Sequence, residues 1–93
     1  MRSVKDEYRQ MDSLFRNEHA QNQPVKDLIA SSYEATKEIN PASAQLAERR
    51  YRKGEHRIKT CLEMFISEPH YYNLLRVFLK TAKALYEKIF SAV

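Results

Sequence analysis

Basic side chains are concentrated in one short stretch of the chain, where they could bind an acidic partner. Residues 48–59 contain six lysines and arginines but only two acidic residues, Glu48 and Glu55. The six are Arg49, Arg50, Arg52, Lys53, Arg57 and Lys59. Because a dense basic patch attracts negative charge, its partner could be a nucleic acid, an anionic lipid or an acidic protein. A solvated helix face that binds nothing is an equally open interpretation.

The residues that most often carry catalysis or bind metals are scattered along the chain. His19, His56 and His70 lie on three different segments, and none is paired at helical spacing with a second type of metal ligand. Cys61 falls on an apolar helix stripe, which predicts a small buried core residue. The sequence also lacks a glycine-rich phosphate loop and a nucleophile elbow. It therefore predicts a protein that is not an enzyme and has no cofactor of its own.

The composition is typical of one small helical domain spanning residues 1–93. Of the 93 residues, 43% are hydrophobic and 30% are charged, with one glycine, three prolines and one cysteine. So few turn residues disfavour a strand-rich sandwich or barrel, and a single cysteine excludes an internal disulfide. No apolar run approaches the roughly 18 residues that span a bilayer. The formal net charge is +4, and residues 39–93 contain the excess of basic groups.

Apolar residues recur at helical spacing along four segments. This pattern predicts helices over residues 3–18, 24–39, 41–66 and 70–91. Pro24 and Asn40-Pro41 fit helix starts, and Pro69 disfavours helix at the residue before it. Short connections favour antiparallel neighbours, so the prediction is an all-α, up-and-down bundle of three core helices with an additional C-terminal helix. The apolar end of that last helix, residues 86–93, is expected to face another subunit.

Gly54 is the one glycine of the chain, and the apolar pattern places it inside the third predicted helix. Glycine in a helix interior costs about 1 kcal/mol relative to alanine. That cost indicates close approach by another backbone or by a ligand chain at this position. A tolerated defect or a mild kink in the helix is the alternative interpretation.

The tripeptide Glu7-Tyr8-Arg9 lies in the first predicted helix, and Asn40-Pro41 leads into the third, which contains Lys53-Gly54. In this order, the features resemble the Leu-Tyr-Arg (LYR) motif family of small mitochondrial helical proteins, over residues 3–66. Two positions differ from the family pattern. Glutamate replaces the leucine of the motif, and in Tyr33-Glu34 a glutamate replaces the basic residue after the aromatic one.

The resemblance implies a three-helix LYR-like bundle with an extra C-terminal helix, in the mitochondrial matrix or on the matrix face of the inner membrane. Members of the family bind the mitochondrial acyl carrier protein, whose acyl-4′-phosphopantetheine inserts between the helices. They hold that carrier on a respiratory complex, on ATP synthase or on the iron–sulfur assembly machinery. The resemblance therefore implies an adaptor, either an assembly factor or an accessory subunit of a larger mitochondrial complex.

Two sets of site residues follow from the resemblance. An acyl carrier protein is acidic, so basic side chains would steer it and form charge-assisted hydrogen bonds. The expected carrier-binding residues are Arg9, Arg49, Arg50, Arg52, Lys53 and Arg57, with Arg9 and Arg50 ranked first. The apolar stripes would become the wall of a tunnel for the acyl chain. Its expected lining is Tyr8, Met11, Phe15, Tyr33, Ala47, Tyr51, Gly54 and Ile58.

Two other functions stay open. A helical scaffold subunit without an acyl ligand would use the same apolar stripes for ordinary core packing. A basic nucleic-acid-binding module would lay residues 49–59 along phosphates and lose affinity steeply with added salt. The glutamates within that stretch, and the position of the aromatic residues on core stripes rather than on a stacking surface, disfavour this third function.

Overall fold

The computed structural model describes residues 5–90, and all regular secondary structure in that range is helical. Within it, five α-helices follow one another, with short 3-10 turns on both sides of the first and a π-helical segment after the third. The α-helices are α1 (Arg9–Arg16), α2 (Gln23–Ile39), α3 (Pro41–Ala47), α4 (Arg57–Met64) and α5 (Glu68–Phe90). The all-α prediction is confirmed. The predicted helix residues 3–4 and 91, and residues 91–93 of the predicted docking end, lie outside the described range.

A single residue, Asn40, connects α2 to α3 and caps both helices. Its backbone N–H donates to the Thr36 carbonyl at 2.7 Å, at the end of α2. Its side-chain oxygen accepts a hydrogen bond of 3.3 Å from the backbone N–H of Ser43, in the first turn of α3. Pro41 has no N–H to satisfy, which suits the first helical position. The predicted boundary between the second and third helices is therefore confirmed.

The core lies where α2, α3 and α5 pack together, and α1 lies against α5. Buried residues recur along α5 at three- and four-residue spacing, as the sequence pattern predicts. They are Tyr71, Leu74, Leu75, Phe78, Leu79 and Ala82. Leu28 and Ile29 of α2 and Leu46 of α3 are buried against them, with 2%, 0% and 0% exposure. Burial of these side chains supplies most of the drive for folding.

The third predicted helix, 41–66, is wrong in its middle, because the chain turns at Gly54. The π-helical segment Glu48–Arg52 follows α3, and α4 begins only after the extended residue His56. Gly54 has a φ of +62°, in the left-handed region that glycine adopts without strain. A Cβ added at Gly54 would meet no atom within 4 Å. The glycine therefore permits a turn, and no neighbouring backbone within residues 5–90 comes close to it.

The helix α4 ends at a residue whose backbone is also left-handed. Phe65 has a φ of +57°, and the N–H of Ile66 closes the turn by donating to the Cys61 carbonyl at 3.0 Å. Glycine usually occupies this position, because a residue with a Cβ pays about 1–2 kcal/mol there. Phe65 is also 94% exposed, so no packing within residues 5–90 offsets that cost.

Candidate functional site

Four aromatic rings from four segments meet in the core, and we call them the aromatic cluster. Phe15 comes from α1, Tyr33 from α2, Tyr51 from the π segment and Phe78 from α5. The ring centroids are 4.7 Å apart for Phe15 and Phe78, 4.9 Å for Tyr33 and Phe78, and 5.4 Å for Phe15 and Tyr51. Aromatic pairs at such distances contribute about 0.5–1.5 kcal/mol each beyond their burial. Three of the predicted tunnel-lining residues are therefore packed on one another and on Phe78.

The other five predicted lining residues divide into two groups. Tyr8, Met11 and Ala47 are buried, with 8%, 2% and 0% exposure. Gly54 and Ile58 instead lie at the surface, and Ile58 is 56% exposed. These two predicted lining positions therefore lie outside the buried core. The chain turns at Gly54, so α4 is not a continuation of α3. Positions that would share one apolar face in a continuous helix therefore point in different directions, and Ile58 faces solvent.

A charged network lies beside the aromatic cluster and joins α1 to the π segment. The Asp12 carboxylate accepts a hydrogen bond from the Tyr51 hydroxyl at 2.5 Å and pairs with the Arg50 guanidinium at 3.2 Å. Its second oxygen accepts from Arg16 Nε at 2.9 Å. Arg50 also donates to the Tyr71 hydroxyl at 3.1 Å, and its side chain is only 13% exposed. Arg50, one of the two first-ranked carrier-binding candidates, is thus placed inside the fold as a structural residue.

The pKa values of this network favour its charged form at neutral pH. Burial acts to raise the pKa of Asp12, but hydrogen bonds from Tyr51 and Arg16 and the charge of Arg50 bring it below its ordinary 3.8. Burial raises the pKa of the Tyr51 phenol, and the Asp12 carboxylate raises it further. Burial opposes the charge of Arg50, yet Tyr51, Tyr71 and Asp12 raise its pKa on balance. Each of these shifts moves a pKa further from 7, whereas a side chain that transfers protons at neutral pH needs a pKa near 7.

Two more arginines of the basic stretch are paired within the fold. Arg49 Nη1 contacts Glu55 Oε1 at 2.8 Å and Glu63 Oε1 at 2.6 Å. Arg57 Nε lies 3.6 Å from Glu68 Oε2. These pairs connect α4 to the segments before and after it. The predicted carrier-binding residues Arg49 and Arg57 therefore also have a structural role.

Arg9 and Lys53 are carrier-binding candidates that remain open to solvent. Arg9 Nε contacts Asp6 Oδ1 at 2.9 Å, but the two side chains are 70% and 89% exposed, so the pair adds little stability. Lys53 is exposed and forms no ion pair within residues 5–90. Tyr8 is buried next to Arg9, so the motif-like tripeptide directs its tyrosine inward and its arginine outward.

A groove of about 400 Å³ opens over the aromatic cluster, and we call it the basic groove. It lies between α1, the start of α2 and the π segment, and two core rings form part of its wall. Its lining residues are Phe15, Arg16, Glu18, His19, Lys26, Tyr51 and Arg52. Its size falls within the range of small-molecule sites, roughly 300–1,000 Å³. The groove thus combines aromatic surface from the core with basic side chains from three segments.

Arg52 bridges two sides of the basic groove. Its Nε and Nη2 atoms each lie 3.3 Å from an oxygen of Glu18, in the 3-10 turn after α1. Its guanidinium carbon also lies 4.0 Å from the Tyr33 ring centroid, in cation–π geometry. The Arg52 and Glu18 side chains are 40% and 31% exposed, so solvent reaches the pair.

Two basic residues of the groove, Arg16 and Lys26, are not among the predicted carrier-binding residues. Both lie outside the basic stretch at residues 49–59, which drew attention by its charge density. The signal that points to them is their position relative to core residues. Arg16 follows the buried Phe15, and Lys26 lies seven positions, or about two turns, before the buried Tyr33 on the same face of α2.

The described residues do not form a metal site or a membrane-spanning helix. Across residues 5–90, no cluster of three or more His, Cys, Asp or Glu residues could hold a metal ion. No helix of that range is both long enough and apolar enough to cross a bilayer. Burial raises the pKa of the Cys61 thiol, which lowers its thiolate fraction at neutral pH.

Comparison with protein-family models, curated proteins and solved structures finds no match for this chain. Function is therefore inferred from the geometry of the molecule and from the order of its motifs. The basic groove is the feature that joins both predicted residue sets. It contains Phe15 and Tyr51 from the expected tunnel lining and Arg52 from the expected carrier-binding residues.

Proposed function

We propose that this protein is a non-catalytic adaptor that binds an acylated acyl carrier protein at the basic groove. The groove itself carries the proposal, because basic side chains surround an opening with two core aromatic rings in its wall. The 4′-phosphopantetheine arm of a carrier presents a phosphate and, with its acyl group, a long apolar chain. A receptor for it needs cations at the entrance and apolar surface within.

The phosphate of the arm would bind to Arg16, Lys26 and Arg52. Arg52 would exchange its contact with Glu18 for the phosphate, which costs little because that ion pair is open to solvent. A guanidinium matches phosphate oxygens with two parallel hydrogen bonds, whereas Lys26 adds a point charge. The three side chains come from α1, α2 and the π segment, so the phosphate would draw these segments together.

The acyl chain would follow the phosphate along the rings of Phe15 and Tyr51. Each methylene removed from water contributes about 0.8 kcal/mol, so a long chain repays a rearrangement of the aromatic cluster. Outside the groove, Arg9 would contact the acidic body of the carrier. Arg9 and Arg16 are seven positions apart on α1, about two helical turns, and therefore lie on the same face.

Following the LYR resemblance, the proposed adaptor acts in the mitochondrial matrix or on the matrix face of the inner membrane. There it would hold the carrier against subunits of a respiratory complex, ATP synthase or the iron–sulfur assembly machinery. A small helical domain gains stability from such partners by mass action.

Native mass spectrometry of the chain co-expressed with a mitochondrial acyl carrier protein tests this function. We expect a 1:1 complex that carries the mass of an acylated phosphopantetheine. The double variant Arg16→Glu, Lys26→Glu should reduce the fraction of complex strongly. The matched control Lys80→Glu, Lys88→Glu changes the net charge equally but lies outside the groove, and should keep the complex. A wild-type chain without carrier, or equal loss in both double variants, contradicts the proposal.

A helical scaffold subunit without an acyl ligand is the second candidate. The contacts within the aromatic cluster favour it, because rings already packed on one another require no ligand to fill the core. Carriers with and without an acyl group separate the two functions. Tighter binding of the acylated carrier supports the adaptor, whereas binding of neither form supports the scaffold. Nucleic-acid binding is less favoured, since Arg49, Arg50 and Arg57 pair with carboxylates of the chain itself.

A further inference from the structure

Arg52 lies at the wall between two grooves. The basic groove is on one side. On the other side, a groove of about 290 Å³ lies between α2, α3 and the π segment, and we call it the α2–α3 groove. Its apolar lining residues are Tyr33, Pro41 and Ala44. Within residues 5–90, Arg52 is the one residue that lines both grooves, so its side chain separates them.

A single guanidinium group closes this wall. The guanidinium of Arg52 contacts the Glu18 carboxylate at 3.3 Å and lies 4.0 Å from the centroid of the Tyr33 ring. That ring packs on Phe78 at 4.9 Å and is only 7% exposed. Because the same group makes both contacts, Arg52 cannot turn toward an anion in the basic groove without leaving Glu18 and moving off the ring. Its departure uncovers a core ring toward the α2–α3 groove.

The charges of the two grooves differ. At the basic groove, the Asp12 carboxylate is shared by Arg16 and Arg50, so this trio keeps one positive charge, to which Lys26 adds another. The α2–α3 groove is lined by two lysines and two glutamates besides its arginines, and Arg49 already contacts two carboxylates. An anion therefore favours the basic groove, and the α2–α3 groove is left for the apolar part of a ligand.

We propose that Arg52 is a gate that admits an apolar chain to the aromatic cluster only when a phosphate comes with it. The phosphate draws the guanidinium away from Glu18 and from the Tyr33 ring, and the two grooves then join over that ring. The chain lies along Tyr33 and continues toward Ala44. Phosphate oxygens replace the carboxylate with two parallel hydrogen bonds, whereas a neutral chain offers the guanidinium no such replacement.

This inference rests on the proposed function, because it names the ligand class of the same groove, phosphate esters of apolar chains. Calorimetric titration of the full chain with octyl phosphate, octanol and inorganic phosphate tests it without a carrier protein. In the wild type, we expect octyl phosphate to bind at least about tenfold more tightly than either of the other two. The head group and the chain then bind cooperatively, since the first opens the path of the second.

The variant Arg52→Ala should move two affinities in opposite directions. Octyl phosphate should bind about tenfold more weakly, because a phosphate ligand is lost, while octanol should bind about threefold more tightly, because the Tyr33 ring is uncovered. Loss of structure alone would weaken both. The matched control Arg76→Ala removes an exposed arginine that lines neither groove, and should change neither affinity.

The variant Glu18→Gln tests the contact that holds the gate closed. It keeps the size of the side chain and weakens its hold on Arg52, so octyl phosphate should bind about threefold more tightly. Glu38→Gln is the matched control, since Glu38 is exposed and lines neither groove. In amide NMR spectra of the wild type, the Ala44 signal should shift with octyl phosphate and stay in place with inorganic phosphate, because only the chain reaches the α2–α3 groove.

Four results overturn the proposal. They are a wild type that binds octyl phosphate no more tightly than octanol, octanol affinity that does not rise in Arg52→Ala, equal affinities in Glu18→Gln and Glu38→Gln, and an Ala44 signal that octyl phosphate leaves in place. A chain that forms the carrier complex but gives any of these results lacks the gate. A chain that shows the gate but binds no carrier keeps this inference and contradicts the proposed function.

Discussion

The hydroxyl of Tyr51 donates a hydrogen bond of 2.5 Å to the carboxylate of Asp12, which lies 39 positions earlier in the chain. Arg50, from the same π segment, reaches that carboxylate at 3.2 Å. Together these contacts fix α1 against the π segment at the border of the aromatic cluster. Since α1 and the π segment also supply walls of the basic groove, the shape of the groove depends on Asp12.

Replacing Asp12 should therefore destabilise the protein. Asp12→Asn keeps the shape but leaves the Arg50 guanidinium, 13% exposed, without its countercharge, and should lower the free energy of unfolding by about 2–4 kcal/mol. Tyr51→Phe keeps the ring and loses one hydrogen bond, so its cost should be only about 1 kcal/mol. Urea unfolding followed by circular dichroism measures both. An Asp12→Asn variant as stable as the wild type would show that the network is not structural.

Stability should fall as the solution is acidified. In the folded chain the pKa of Asp12 lies below its ordinary 3.8, although burial opposes this, because Tyr51, Arg16 and Arg50 favour the carboxylate. Hydrogen bonding from Arg49 likewise lowers the pKa of Glu55 from 4.5. The unfolded chain then binds more protons than the folded chain, so stability is present above the ordinary pKa values and lost as pH falls through the folded ones.

Thermal unfolding across about pH 6 to pH 2 measures this dependence. The slope below about pH 4 should be shallower in Asp12→Asn than in the wild type, because the variant has lost one of the groups that bind protons on unfolding. Asp27→Asn is a matched control, since Asp27 is an exposed carboxylate that contacts only Gln23 within residues 5–90. Identical slopes in all three proteins would contradict the assignment to Asp12.

The sign of the change in unfolding free energy on substitution of Gly54 distinguishes a turn from a helix interior. Because Gly54 has a φ of +62°, Gly54→Ala should destabilise the chain by about 1–2 kcal/mol, although open space surrounds the position. Gly54→Asn should cost less, since asparagine adopts the left-handed region more readily. Within a continuous helix, alanine would instead stabilise by about 1 kcal/mol. Chemical unfolding decides between these signs.

Phe78 contacts all three other rings of the aromatic cluster, so its removal should be the most damaging of single core substitutions. Phe78→Ala creates a cavity at a residue of 0% exposure and should cost about 3–5 kcal/mol, with a smaller cost for Phe78→Leu. Phe65→Ala removes the same number of atoms from an exposed ring and should change stability by less than about 0.5 kcal/mol. Similar losses in the two alanine variants would contradict the assigned core.

Helix boundaries were predictable where local chemistry decides them. The second predicted helix begins one residue after α2 and ends with it, because Asn22 and Asn40 supply the side-chain acceptors that start α2 and α3. The fourth begins two residues after α5 and shares its apolar stripe. In both cases the signals lie within a few residues of the boundary.

The interruption at Gly54 and the pairing of the arginines were not predictable in the same way. Apolar spacing through positions 47, 51, 54 and 58 fits one helix as well as it fits a helix, a π segment and a turn. The arginine partners lie far away in the sequence, 38 positions for Arg50 and Asp12 and 34 for Arg52 and Glu18. These charges come together only in the tertiary fold. The number of basic residues in the stretch 49–59 is therefore larger than the number of cations that are free to bind a partner.

The one-residue connection at Asn40 has a consequence for the order of folding. So short a joint leaves little loop entropy to lose when α2 and α3 associate, whereas α5 and α1 must close much longer loops. We expect Asn40→Ala to slow refolding more than it speeds unfolding, and Asp12→Asn to act mainly on the unfolding rate. Stopped-flow rates that reverse this pattern would contradict it. We therefore expect α2 and α3 to associate first, and α1 and the π segment, which supply two walls of the basic groove, to join them later.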